Sequence, residues 1–290
     1  MKYLPLFLFF ALATAAQAQI GVSLTIKDRF HLLHEPVLAT VNVTNLTGHD
    51  ITLSDSPENQ WFGFRIIGDG DESVPPRNRH YHLDPLTVKS GASARRTVNL
   101  TELYEVDHVG NYRIQPNIYY DGMEKFFSCK PAFIDVSEGR VIWGPQAVGV
   151  PEGQPGAGQT REFTLLTHQR GEVNTLYVRV VDKDDGTVYC TYPIGRLLDN
   201  STPEAAFDSS NNFYILHLAG TRAYLLTKVT PNGEFGGQSP YTAPKYKPFL
   251  RKNSEGALQI VGAKRDAPPL DPGNMTVPRL SARPPGYPSN

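Results

Sequence analysis

The chain has 290 residues with a formal net charge of −1, and it carries 24 prolines, 25 glycines, 14 tyrosines and 14 phenylalanines. Near-neutral charge without a basic stripe excludes the electrostatic footprint of a nucleic-acid binder. Beyond the N-terminal segment no apolar run approaches the ~20 residues of a membrane-spanning helix, so no membrane insertion is expected of the mature product.

Residues 1–18 read as a secretory signal peptide. Lys2 supplies a positive charge, Tyr3 to Thr14 form an apolar run broken only by Pro5, and Ala16-Gln17-Ala18 is a cleavage motif. Cleavage leaves about 272 residues with a charge of about −2, room for roughly two domains. No cysteine follows the cleavage site, so no lipid anchor is expected there and the predicted destination is the periplasm or the medium. An oxidising destination permits a disulfide between Cys129 and Cys190, the two cysteines of the chain. It would close a loop of roughly sixty residues, worth about 4 kcal/mol. The two lie in different predicted domains, and the sequence leaves bridged and free thiols both open.

The predicted class is all-β: short runs rich in aromatic and β-branched residues alternate with turn clusters, and no long run has helical apolar spacing. Residues 19–137 read as a β-sandwich. Its candidate strands are 22–26, 36–45, 51–53, 62–67, 86–89, 94–100, 110–119 and 132–136. Within 110–119, Tyr112, Ile114, Pro116 and Ile118 alternate with Asn111, Arg113, Gln115 and Asn117, giving one apolar and one polar face. Tyr112, just inside a strand after Asp107-His108-Val109-Gly110, resembles the tyrosine corner of immunoglobulin-like sandwiches. The resemblance places Ile114 where antibody domains carry their second cysteine, Val41 or Val43 opposite it, and Trp61 as the core tryptophan. The run from Glu35 to Gly48 is also similar to secreted bacterial immunoglobulin-like domains, including macroglobulin-type and proteinase-inhibitor-type ones, which implies a fold and no activity.

Residues 138–162, with Gly144-Pro145 and the 151–159 Gly/Pro cluster, read as a linker whose Trp143 packs on a flanking domain. Residues 163–265 read as a β-domain with an internal repeat. Tyr177–Val188 parallels Tyr224–Phe235, each a strand entering a hairpin turn at Gly186 or Gly233, about 47 positions apart. A further strand recurs as Phe163–His168, Phe213–Leu218 and Leu258–Ala263. The repeats resemble β-propeller blades, but about two blades cannot close a ring of at least ~4, which favours stacked sheets or a small sandwich. Residues 266–290 are proline-rich and read as an extended or disordered tail.

Candidate chemistry is sparse. His80-Tyr81-His82, His31 and His34 lack neighbouring ligands and read as surface or hydrogen-bonded histidines rather than metal sites. Asp182-Lys183-Asp184-Asp185-Gly186 reads as a hairpin turn before a calcium loop. Asn42, Asn45, Asn99, Asn200 and Asn274 open Asn-x-Ser/Thr triplets whose structural roles suffice. No nucleophile elbow, phosphate loop or zinc motif occurs, so no catalytic residue, metal or cofactor is assigned. The expected function is non-enzymatic binding or scaffolding of another protein or an extracellular polymer, with Tyr81, Tyr119, Tyr120 and Tyr241 as candidate recognition aromatics. The competing expectation is a hydrolase or protease inhibitor acting on envelope or extracellular polymer.

Overall fold

A computed structural model describes residues 20–78 and 81–266. The predicted signal peptide, His80 and all of the proline-rich tail except Asp266 lie outside the described residues.

The first β-unit runs from Ile20 to Ser137. Its strands are β1 (Ile20–Ile26), β2 (Phe30–Leu32), β3 (Leu38–Asn45), β4 (Ile51–Leu53), β5 (Phe62–Ile67), β6 (Leu86–Val88), β7 (Ser93–Asn99), β8 (Gly110–Tyr120), β9 (Lys125–Phe127) and β10 (Ala132–Ser137). Sheet β1-β3-β7 is antiparallel; the larger sheet runs β2-β10-β8-β5, with β9 on β8 and β2 parallel to β10. Both sheets turn their apolar residues inward, because strict alternation in β3 and β8 puts every second side chain on one face. Val41, Val43, Trp61, Ile66 and Ile114 meet in one core at 1 % exposure or less.

Two hydrogen bonds fix the polar ends of core aromatics, as burial of such groups demands. The Trp61 indole N–H donates to the Leu83 carbonyl (3.2 Å), and the Tyr112 hydroxyl donates to the His108 carbonyl four residues upstream (2.8 Å). One helical turn, α1 (Leu100–Leu103), follows β7, capped by the Asn99 side chain. It falls where sequence periodicity gave only a strand end.

The second unit holds β11 (Arg140–Gly149), β12 (Thr160–Arg170), β13 (Val173–Asp182), β14 (Val188–Arg196), β15 (Glu204–Phe207), β16 (Phe213–Gly220), β17 (Ala223–Val229), β18 (Phe235–Thr242), β19 (Phe249–Lys252), β20 (Leu258–Val261) and β21 (Lys264–Arg265). Two antiparallel meanders, β11-β12-β13-β14 and β15-β16-β17-β18, share one core, and β21 covers the edge of β18. Phe163, Leu165, Val178 and Val180 of the first pack with Phe207, Phe213, Ile215 and Val229 of the second. The strands of the sequence repeat occupy equivalent places: β12 with β16, β13 with β17, β14 with β18. The second hairpin turn lies against the first meander. Gly233 has φ +82°, and a Cβ there would stand 2.7 Å from the Cys190 thiol sulfur.

The linker reading of 138–162 is corrected. Residues 140–149 are β11, and Trp143 packs on Phe213 at 4.9 Å and on Phe207 at 6.3 Å. Gly144 and Pro145 fall at register shifts of this edge strand, where a missing N–H is tolerated, so their composition mimics a linker. Residues 150–159 only close the β11–β12 connection. The bridge left open between Cys129 and Cys190 is not formed: both are free thiols, one in each unit.

Candidate functional site

The two units meet at a buried polar junction. Parallel pairing of β2 on β10 carries Leu32 to the edge of the larger sheet, where it packs with Leu166 and Tyr177 of the second unit. The following turn places Glu35 at 5 % exposure. Its carboxylate accepts the Leu32 N–H (2.9 Å) and a bond from the Arg170 guanidinium, which lies over the Tyr177 ring at 5.5 Å. Arg179 donates to the Leu33 carbonyl (2.7 Å), and Ser137 and His168 share a 3.1 Å bond. Burial raises the Glu35 carboxyl above the usual range, with Arg170 opposing it. Burial likewise lowers His31, whose Nε2 lies 2.9 Å from the Asp28 carbonyl. These groups face one another, so the junction's chemistry is that of a clamp between units.

The open face of the larger sheet is different. Alternation aims Arg65 and Ile67 of β5, and Arg113 and Gln115 of β8, away from the core. With Pro131 they line a groove of about 220 Å³. Arg65 stands across from Gln115, and Arg113 across from Ile67 on one side and Phe133 of β10 on the other. Arg65 and Arg113 are therefore diagonal neighbours, with Cβ atoms about 7 Å apart. Among the described residues Arg65 has no carboxylate partner, while Arg113 reaches Asp71 at 3.5 Å in an exposed contact of little energy. Gln115 is held by the Cys129 carbonyl (2.8 Å) and Ser128 (3.2 Å). Phe133, across from Arg113, is 58 % exposed, so the cationic groove has an aromatic neighbour. Two planar guanidiniums at this spacing suit successive carboxylates, which arginine grips through paired N–H donors.

The residues singled out from sequence fare variously. Trp61, Tyr112 and Ile114 are core residues. Tyr119 is buried, Tyr81, Tyr120 and Tyr241 are half-buried, and the Tyr81 hydroxyl donates to the Phe62 carbonyl. Asp182 commits one carboxylate oxygen to buried Arg161 (2.5 Å) and the other to the Asp184 N–H (2.8 Å), so 182–186 is a hairpin turn. Asn45 is fully buried and bonds Thr47, His49 and Val88, which takes its side chain out of reach of any glycan. His82 pairs with Asp55 at 2.7 Å, and His31 sits in the junction. The groove itself was missed, although the polar face of 110–119 had already placed Arg113 and Gln115 on one side of a strand.

No protein-family model matches this chain, and no curated protein is similar enough to be matched to it. Its class rests on its own architecture: an all-β protein of many antiparallel strands in several sheets.

Proposed function

We propose that this chain is a secreted or periplasmic, non-enzymatic binding protein whose Arg65–Arg113 groove takes a carboxylate-bearing envelope or extracellular polymer. The observation that carries the reading is the pair of outward guanidiniums, one without an acidic partner, beside exposed Phe133. Aromatic faces suit sugar rings and guanidiniums suit uronic-acid carboxylates, so an acidic polysaccharide fits both features. In this reading the first unit is an immunoglobulin-like sandwich, supported by the Tyr112–His108 bond and by Trp61 beneath the sheets. The second is a pair of blade-like repeats joined to it through Glu35 and Arg170. Retention of the full mature chain on immobilised polygalacturonate, compared with uncharged dextran, tests the reading. Salt-sensitive retention on the acidic matrix alone is expected; equal retention on both, or on neither, would overturn it.

A further inference from the structure

The second unit contains the beginning of a third repeat. The hairpin β19–β20 follows the same plan as β11–β12 and β15–β16, and β19 lies beside β15. Its turn stacks on the preceding one through the Ser209 N–H, which donates to the Gly256 carbonyl (3.1 Å). That preceding turn in turn reaches the first repeat, where the Asn211 side chain donates to the Gly149 carbonyl (2.8 Å). The second strand of each repeat carries an apolar pair: Phe163 and Leu165, Phe213 and Ile215, Leu258 and Ile260. The first two pairs are completely buried, whereas Leu258 and Ile260 are half-exposed. In the complete repeats a third strand, β13 or β17, occupies the edge of the second. Among the described residues no strand occupies the edge of β20.

That edge is chemically open. The Asn253 N–H donates to the Ala257 carbonyl (2.9 Å), so alternation along the ladder makes Arg251–Gln259 and Phe249–Val261 the bonded pairs. Leu258 and Ile260 consequently aim their N–H and C=O groups outward. Three other edges of this unit are blunted: β11 by Pro145 and two register shifts, β14 by Pro193 and two register shifts, β18 by Pro240 and β21. The sequence Leu-Gln-Ile-Val of β20 has neither charge nor proline.

We propose that β20 is an interface with a second copy of this chain, pairing with itself antiparallel about a two-fold axis at Gln259. Leu258 and Ile260 then exchange backbone bonds with Ile260 and Leu258 of the second copy. The product, β19-β20-β20-β19, is a four-stranded antiparallel sheet like those of the two complete repeats. Residues 267–290 carry seven prolines and are poor donors for this edge. The paired area is small, so the dimer is weak and depends on concentration.

Sedimentation velocity on the full mature chain, from about 1 to 200 µM, should show a rising dimer fraction. Gln259→Lys sets two like charges face to face and should cut that fraction several-fold without altering the monomer. Gln259→Cys, treated with oxidised glutathione, should give a reducible dimer, since directly opposed residues lie within disulfide reach. Ala257→Cys should not, because its copy lies roughly 14 Å away in this register. Wild-type chain, with Cys129 and Cys190 alone, is the control. A monomer at every concentration with no cross-link through Cys at 259, or equal cross-linking at 257, would overturn the proposal.

Discussion

Glu35 and Arg170 stand 135 positions apart in the chain and form a part-buried ion pair that ties the first β-unit to the second. The carboxylate also accepts the Leu32 N–H, so one side chain braces its own turn and grips the neighbouring sheet. Leu32, Leu166 and Tyr177 exclude water beside it. This fixes the orientation of the open groove face relative to the repeat-bearing unit.

Removing Arg170 leaves the Glu35 carboxylate buried without its countercharge, a far larger cost than a surface pair would show, whereas Arg170, 21 % exposed, keeps Asp28 at 3.8 Å when Glu35 is removed. Arg170→Ala should lower unfolding stability by about 3 kcal/mol, and Glu35→Ala by less. Urea titration followed by tryptophan fluorescence checks this, with Trp61 and Trp143 reporting one unit each.

Acid should destabilise the second unit through His217. Burial holds its imidazole down at about 4, against 6.5 for the free side chain. Between those values the unfolded chain binds a proton that the folded chain refuses, so stability present above pH 6.5 is lost as pH falls toward 4. The loss is up to roughly 3 kcal/mol for this group. Buried His31 and half-buried His168 are lowered too and add in the same direction. Glu35 acts oppositely, because its raised carboxyl makes ionisation costly as pH rises through the acid range. Unfolding midpoints at pH 7 and 4.5 should differ clearly in the wild type and less in His217→Leu.

Tyr112→Phe deletes the bond to the His108 carbonyl while keeping the ring in the core. A loss of about 1 kcal/mol is expected, with an unchanged circular dichroism spectrum.

Gly233→Ala introduces a Cβ 2.7 Å from the Cys190 sulfur at a left-handed backbone position. The conformation alone costs about 1–2 kcal/mol. Cys190→Ala in the same chain should recover part of the steric loss, the Val180 contact at 3.3 Å remaining, and leave the conformational part, as thermal denaturation would show.

Much of the first unit was legible because one face of each strand is wet. Alternation in Leu38–Asn45 and Gly110–Tyr120 fixes both the strands and their inward residues. β2 and β9, unlike the equally short β4, do not alternate, and they exist because longer neighbours offer them an edge. β11 was hidden by Gly144-Pro145, which composition assigns to a linker while a bulged edge accommodates them. Glu35 and His31 carry no local signal, since their environment is built by β12 and β13 far along the chain. The groove was half visible: Arg113 and Gln115 announce a polar face, but Arg65 joins them only through the β5–β8 register.

The most direct test of the groove is a calorimetric titration of the full mature chain with oligogalacturonate, beside the double variant Arg65→Ala/Arg113→Ala. Binding that weakens at least about tenfold in the variant, and falls with added salt in the wild type, is the expected result. Equal affinity in the two proteins, or no binding by the wild type, would contradict it.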